Sequence, residues 1–297
     1  MTERRDAIVA IDVPLALNGD ALERPGMQLG WNSERSRRYA AALVAEIEAN
    51  AGQFDDCMVR AVALGGGVAT MLGRDMATVM AALRRSCPVA DDAFVSATAA
   101  VANISGATFP FFRRAGVNRF DFEMMSLVPA NFTRLNQTDN LADFPVVCDH
   151  FLHAYANKSL GVVLAFGAAG KDADEQITAM RRSALAAART HTAHVRLAPV
   201  GPALAADGVA CEDQRRAMAD ALEGHGLAEY LPGLFARPGA EDRFALMDAA
   251  GCPRIGFGAG ALTRIDGATS RNTADFERYC VHAADYALIT EQVGTVD

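Results

Sequence analysis

The chain has 297 residues, 51% of them hydrophobic, and a formal net charge of −8 at pH 7, which suits one large domain or two small ones. The acidic balance argues against nucleic acid as a partner, because binding phosphates needs a basic face. No apolar run reaches the roughly 18 residues of a membrane span and the six cysteines are scattered, so we expect a cytoplasmic protein with reduced thiols and no membrane partner.

Strand-like and helix-like patterns alternate along the first two thirds of the chain, which is typical of a parallel α/β layer or barrel. Strands are predicted at residues 7–13, 58–64, about 93–97, 118–124, 160–166 and 194–199, and helices at residues 39–49, 76–85, 142–156 and 174–190. About six βα units therefore precede residue 200, and the pattern loosens into glycine- and proline-bearing stretches after it.

Several short motifs follow one another in the order found in one enzyme family. They are Gly65–Gly67 with Thr70, Gly116–Arg119, Phe235–Gly239, Arg254–Ile265 and Asn272–Tyr279. Each motif alone is weak, but together they span nearly the whole chain. The chain resembles the oxygen-independent coproporphyrinogen III oxidase-like branch of the radical S-adenosylmethionine (SAM) enzymes.

The resemblance implies an α/β fold built on a partial (β/α)6 TIM-like barrel. We expect this barrel at residues 1–200 and a C-terminal extension packed on it at residues 201–297. In the family the glycine triplet touches SAM, and the later glycine run lies beside the SAM and substrate sites. The implied cofactor-binding residues are Gly65, Gly66, Gly67, Thr70, Gly256, Gly258 and Gly260. A tight turn between strand and helix, with no ligand, would explain the triplet equally well.

The family's iron–sulfur motif is missing from this chain. Relatives hold a [4Fe-4S] cluster with a CxxxCxxC loop after the first strand. Aligning Pro14 with the family proline puts Ala16, Asp20 and Glu23 at the cysteine positions, and the first cysteine of the chain is Cys57. Because such clusters are held by thiolates, we expect no [4Fe-4S] cluster and no ordinary radical SAM chemistry.

The predicted strand at 118–124 carries an unusual set of charges. Alternation along a strand puts Arg119, Asp121 and Glu123 on one side, and that side faces the barrel interior if the intervening phenylalanines pack against helices. Buried carboxylates need a cation, water or donors, so a neighbouring arginine neutralises them or they form a catalytic or metal-binding pocket. The candidate catalytic residues are Asp12, Arg119, Asp121, Glu123, His194 and Arg196.

Histidines give a weaker signal for a mononuclear Fe, Mn or Zn site. His150 and His153 share one helix face, and His191 and His194 repeat the same spacing. Histidines on a helix surface are common, however, and a strand-end histidine bonded to backbone would explain His194. The presence of a metal stays open.

Two functions follow from these observations. The first is an enzyme of a specialised biosynthetic pathway. It performs non-radical chemistry on a small molecule, and this chemistry could depend on SAM or on a metal. The second is a pseudoenzyme that binds a tetrapyrrole, a SAM-like ligand or a protein partner. Carboxylates placed inside a barrel favour the enzyme, because a scaffold gains little from burying charge. The oligomeric state is not indicated.

Overall fold

The computed structural model describes residues 4–16, 29–105, 108–131, 135, 143–155, 160–170 and 172–295. The strands are β1 Arg5–Asp12, β2 Leu15–Ala16, β3 Leu29–Gly30, β4 Cys57–Gly65, β5 Val89–Ala99, β6 Arg119–Met125, β7 Leu160–Phe166, β8 His194–Pro199, β9 Ala228–Leu231, β10 Leu234–Ala236, β11 Arg254–Phe257, β12 Leu262–Ile265, β13 Ala268–Asn272 and β14 Thr290–Thr295. The helices are α1 Ser33–Ala49, α2 Asp75–Ser86, α3 Phe109–Ala115, α4 Asp143–Ala154, α5 Ala173–Arg189, α6 Gly208–Glu223, α7 Arg243–Ala249, α8 Phe276–His282 and α9 Tyr286–Ile289.

Twelve strands form one large sheet in the order β14-β13-β12-β11-β1-β4-β5-β6-β7-β8-β10-β9. The seven central strands from β11 to β8 pair in parallel, and the strands outside them pair antiparallel. Six of the parallel strands are each followed by a helix, so the α/β class and the six βα units are confirmed. In the described part of the chain the outer strands β14 and β9 do not pair, so the sheet is not closed into a complete barrel.

The last third of the chain adds strands to both edges of the same sheet. β9 and β10 continue it beyond β8, and β11 to β14 continue it beyond β1. Hydrogen-bonded strands from residues 1–200 and from residues 201–297 belong to one sheet. The division into a barrel at 1–200 and an extension packed on it at 201–297 remains a prediction.

The outer face of the sheet is covered by helices through an aromatic cluster. Phe120 and Phe122 of β6 pack against Phe151 of α4, and Phe120 also packs against Phe109 of α3. All four rings are almost completely buried. The prediction that the phenylalanines of β6 face helices is thus confirmed, and the alternate residues of β6 point to the opposite face. None of the described helices has both the length and the apolar character needed to cross a membrane.

Candidate functional site

A cavity of about 530 Å³ lies on the face of the sheet opposite the aromatic cluster. Residues from five successive parallel strands and the adjoining β8 line it, among them Asp12, Gly65, Thr98, Asp121, Val163, His194 and Arg196. Asp242, Phe244, Ala245 and Asp248, from the start and body of α7, line another side of it. Four of the six candidate catalytic residues thus meet at one cavity, although up to 184 positions separate them in the sequence of 297 residues.

Strand register explains why these distant residues meet. Asp12 pairs with Gly65, Thr98 pairs with Asp121, and Gly161 pairs with both Asp121 and His194. Residues paired in a parallel sheet lie at the same height and point to the same face. The polar groups therefore form a row across the inner face.

Arg119 neutralises Asp121. The guanidinium is 1% exposed and donates from Nη2 and Nε to Asp121 Oδ1 at 3.0 and 3.3 Å. It also donates to the carbonyl oxygen of Ala240 at 3.0 Å. Burial alone would raise the pKa of the Asp121 carboxyl, but the charge of Arg119 and the contact with His194 lower that pKa below its usual value. The carboxylate is therefore ionised and paired, as the neutralisation hypothesis requires.

His194 bonds to Tyr230 and lies beside Asp121, while its buried Nδ1 has no hydrogen-bond partner among the described residues. Its Nδ1 lies 3.5 Å from Asp121 Oδ1, and its Nε2 lies 2.8 Å from the hydroxyl of Tyr230. That hydroxyl accepts the backbone N–H of Asp242 at 2.9 Å, so we assign its proton to the bond with Nε2 and the ring proton to Nδ1. Burial, together with the charge of Arg119, lowers the pKa of His194 against the opposing effect of Asp121, which favours the neutral ring.

Asp12 is the carboxylate of the cavity with the least compensation. No described residue donates a hydrogen bond to its side chain, and Tyr39 binds only its backbone carbonyl. Burial raises the pKa of Asp12, and the charges of Arg254 and Arg271 offset only part of that rise. Gly66 packs directly against it, since a Cβ at residue 66 would lie 3.1 Å from the Asp12 Cβ.

Two arginines bring positive charge to the cavity. Arg196 is exposed, and its guanidinium has no ion-pair partner within the described ranges. Arg254 pairs with Asp248 at 3.1 Å, and Asp248 also pairs with Arg264 at 2.8 Å. Asp248 therefore holds both Arg254 and Arg264.

The structure separates the glycines of the two runs by role. Gly65, Gly66 and Gly260 line the cavity. Gly256 packs on β12, where a Cβ would come within 2.5 Å of the carbonyl oxygen of Leu262. Gly258 has a φ of 107° and packs on the backbone carbonyl of Asp12, where no Cβ fits. Close backbone packing therefore accounts for Gly256 and Gly258 without a ligand.

The cavity lining does not include four other candidates, Arg119, Glu123, Gly67 and Thr70. Glu123 is 7% exposed and lies further along β6, and Gly67 and Thr70 lie beyond the end of β4. The hydroxyl of Thr70 donates to Asn103 Oδ1 at 3.0 Å. Asp121 therefore reaches the cavity and Glu123 does not.

The sequence analysis did not identify Glu46 of α1 as a candidate. Its side chain is 1% exposed. It accepts hydrogen bonds from Gly258 N at 2.8 Å, Asn272 Nδ2 at 2.5 Å and the Tyr279 hydroxyl at 2.5 Å. Burial raises the pKa of Glu46 to about 7 against the opposing effect of these donors. Its spacing of seven residues from Tyr39, which puts both on the buried face of α1, was the available signal.

Of the three positions aligned with the family's cluster cysteines, the structure describes only Ala16. Ala16 is buried in β2 and offers no ligand atom, whereas Asp20 and Glu23 lie outside the described residues. Within the described ranges, no group of three or more histidine, cysteine, aspartate or glutamate side chains could hold a metal ion. His150, His153 and His191 are exposed. Loss of the cluster stays a prediction, and the question of a mononuclear metal stays open.

Comparisons with known proteins address the resemblance. A scan against models of protein families finds no match. Two curated proteins, each described as heme chaperone HemW, come from two strains of Mycobacterium tuberculosis (CDC 1551 / Oshkosh and ATCC 25618 / H37Rv). Both are 28% identical to this chain over 240 residues, which cover 75% of this chain and 60% of theirs. The chain thus matches less than two thirds of the length of these relatives.

A solved structure shows the same fold over nearly the whole chain. It is coproporphyrinogen III oxidase (HemN) from Escherichia coli, described as a radical SAM enzyme, with a TM-score of 0.81 and 16% identity. The match covers 98% of this chain and 73% of that one. Sequence similarity and fold together confirm that this chain resembles the coproporphyrinogen oxidase-like branch of the radical SAM superfamily.

Proposed function

We propose that the chain is an enzyme that performs non-radical acid–base chemistry on an anionic small molecule bound in the cavity. The observation that carries this proposal is the side chain of Asp12, a partly buried carboxyl on the cavity wall with a raised pKa and no hydrogen-bond donor from the described residues. A carboxyl whose pKa moves toward neutrality can take up and release a proton during a reaction.

The charges around Asp12 favour an anionic ligand. Arg196 reaches the cavity without a carboxylate partner in the described chain, and the guanidinium of Arg254 lines the same space. Arginine binds carboxylate and phosphate groups through paired N–H donors. A ligand bound by these two arginines would have its reacting atoms in the cavity that Asp12 lines.

Asp121, His194 and Arg119 have a different role in this proposal. A carboxylate with a lowered pKa is a poor base, and His194 is buried with its Nε2 bound to Tyr230. Asp121 and His194 form a fixed polar wall for the ligand, and Arg119 holds Asp121 without lining the cavity itself. Of Asp121, Glu123 and Asp12, the three carboxylates expected at the functional centre, the proposal gives the proton-transfer role to Asp12.

SAM or a related nucleoside is the cofactor we propose, at the edge of the cavity where Gly65 and Gly66 approach Gly260. Glycines at the end of a strand let backbone N–H groups approach a ligand. The [4Fe-4S] cluster is not part of the proposal, because Ala16 stands at a thiolate position and the chain has no cysteine before Cys57.

A pseudoenzyme that binds a tetrapyrrole is the second candidate. It is favoured by the similarity to proteins described as heme chaperones and by the neutralised Arg119–Asp121 pair, which a purely structural interior would also contain. Binding without turnover would need the cavity but not the protonation of Asp12.

The test compares wild-type protein with Asp12→Asn and with the control Asp91→Asn, an exposed aspartate of β5. Each protein is incubated with a cell metabolite extract, and mass spectrometry follows which anionic metabolites are consumed. We expect wild type and Asp91→Asn to consume the same compound and Asp12→Asn to be slower by about 100-fold. Consumption by Asp12→Asn at the wild-type rate would overturn the proposal. No consumption by any of the three, with equal heme affinity for all, would favour the pseudoenzyme.

A further inference from the structure

Helix α1 binds two consecutive backbone N–H groups at the edge of the cavity. Gly258 donates to Glu46 Oε2 at 2.8 Å, and Ala259 donates to the hydroxyl of Tyr39 at 2.8 Å. That hydroxyl in turn donates to the carbonyl oxygen of Asp12 at 2.5 Å. One helix face therefore links the end of β1 to the segment that follows β11.

The remaining partners of Glu46 come from the C-terminal part of the chain. Asn272 of β13 and Tyr279 of α8 donate to its two carboxylate oxygens. Asn272 Nδ2 also donates to the carbonyl oxygen of Gly258 at 3.0 Å. Both the N–H and the C=O of Gly258 are thus bound inside this network.

The position of Gly258 leaves little freedom. Its φ is 107°, and a Cβ there would collide with the carbonyl of Asp12 and would lie 2.7 Å from the Tyr39 hydroxyl. Ala259 and Gly260, the next two residues, line the cavity. A shift of Gly258 would therefore move the cavity wall beside Asp12.

We propose that Glu46 is a positioning residue whose carboxylate holds Gly258–Gly260 against Asp12 and so sets the shape of the nucleoside edge of the cavity. Ligand binding at this edge rests on the proposed function. The position of Gly258–Gly260 does not depend on that function. Glu46 itself does not line the 530 Å³ cavity, so it acts through the backbone of the segment.

The chemistry of the three donors explains why a carboxylate suits this position. An N–H, an amide NH₂ and a hydroxyl converge on it, and a carboxylate accepts at both oxygens. A glutamine accepts at only one oxygen and turns its own NH₂ group toward a donor. Glu46→Gln therefore leaves at least one of these bonds unmade while it keeps the size of the side chain.

The experiment uses the whole chain and the variants Glu46→Gln and Glu48→Gln at about pH 8, above the raised pKa of Glu46 of about 7, so that the wild type carries the carboxylate. Glu48 lies on the same helix but is exposed and pairs with Arg85 at 2.7 Å, so it is the matched control. NMR hydrogen exchange measures the amides of Gly258 and Ala259, and calorimetry measures the affinity for S-adenosylhomocysteine. Tyr279→Phe, which removes one donor and leaves the carboxylate, serves if Glu46→Gln does not fold.

We expect the Gly258 amide in Glu46→Gln to exchange about tenfold faster and to lose the downfield shift of a charge-assisted hydrogen bond, with Glu48→Gln unchanged. We also expect about tenfold weaker binding of S-adenosylhomocysteine, since the loss of roughly 1.4 kcal/mol corresponds to that factor. An unchanged Gly258 amide overturns the positioning role whether or not the ligand binds. Wild-type protein that gives no binding heat at millimolar ligand overturns the proposed nucleoside site instead, and leaves the amide result to decide on Glu46.

Discussion

Gly161 of β7 lies beside Asp121 of β6, and the Asp121 carboxylate fills the space that a side chain at residue 161 would need. The Arg119 Nη2 atom would also lie 3.3 Å from a Cβ there. A glycine at this register position is therefore what allows a buried ion pair on the inner face of the sheet.

We expect Gly161→Ala to destabilise the protein. The added methyl group must displace Asp121 or Arg119, which costs about 1–3 kcal/mol as overpacking and about 3–5 kcal/mol if the buried ion pair breaks. Urea unfolding should show a lower midpoint. Gly208→Ala is the control, because no atom lies within 4 Å of a Cβ there. Equal losses in both variants would contradict this account.

Asp121→Asn should also destabilise, because it leaves the Arg119 guanidinium buried without its carboxylate. The expected loss is about 3 kcal/mol or more. The double variant Arg119→Met with Asp121→Leu removes both charges and should recover most of that loss. Thermal unfolding of the three proteins decides, and an Asp121→Asn variant as stable as wild type would show that the pair contributes nothing.

His194 should make the protein less stable in mild acid. Its pKa in the folded protein is lowered from 6.5, so the unfolded chain binds the proton more readily. The stability from the neutral ring is full above 6.5 and is lost as pH falls below that value, at up to about 1.4 kcal/mol per pH unit. Unfolding free energies from pH 7.5 to 5 should fall less steeply in His194→Gln. The exposed His191→Gln should follow wild type, and equal slopes in all three would refute the assignment.

Glu46 should make the protein less stable as the pH rises, which is the opposite of the effect of His194. Its pKa is raised from 4.5 to about 7, so the folded protein holds the proton more tightly than the unfolded chain does. This contribution is complete below 4.5 and is lost as pH rises to about 7, where wild type should have lost roughly 3 kcal/mol relative to Glu46→Gln. The charge of Asp12 also raises the pKa of Glu46, whereas the hydrogen bond from Tyr279 lowers it, so the two proteins are compared at each pH. A pH-independent difference between the two proteins would contradict a raised pKa at Glu46.

Anaerobic reconstitution with iron and sulfide should yield no [4Fe-4S] cluster. Thiolates hold such clusters, and Ala16 replaces the first of them. Iron and sulfide analysis and the absorbance spectrum measure the outcome. A broad absorption band accompanied by roughly four irons and four sulfides per chain would show that other residues hold a cluster.

Much of the fold follows from local patterns. The strands at Leu160–Phe166 and His194–Pro199 have the predicted bounds, because their apolar runs end at strongly polar or glycine-bearing segments. Alternation along β6 correctly put Phe120 and Phe122 on the helix side. The short α3 was missed, since its seven residues give too little periodicity to recognise.

The site was only partly accessible from the sequence. Asp12, Asp121, His194 and Arg196 could be nominated because the ends and inner faces of parallel strands converge. Glu123 has the same strand alternation as Asp121 but does not reach the cavity, which depends on where the space lies along β6. Strand alternation predicts which face of the sheet a side chain points to, but it does not predict where along the strand the cavity lies.

The sequence by itself determined the strand–helix alternation, the family resemblance and the absence of a cysteine before Cys57, because these depend on the order and type of neighbouring residues. Only the tertiary structure decided that Arg119 neutralises Asp121, that Asp12 lacks a donor from the described chain, and that Glu46 binds Gly258 across 212 positions of the chain. Pairing and burial fix the charge of each carboxylate, and both arise only when segments far apart in the chain come into contact.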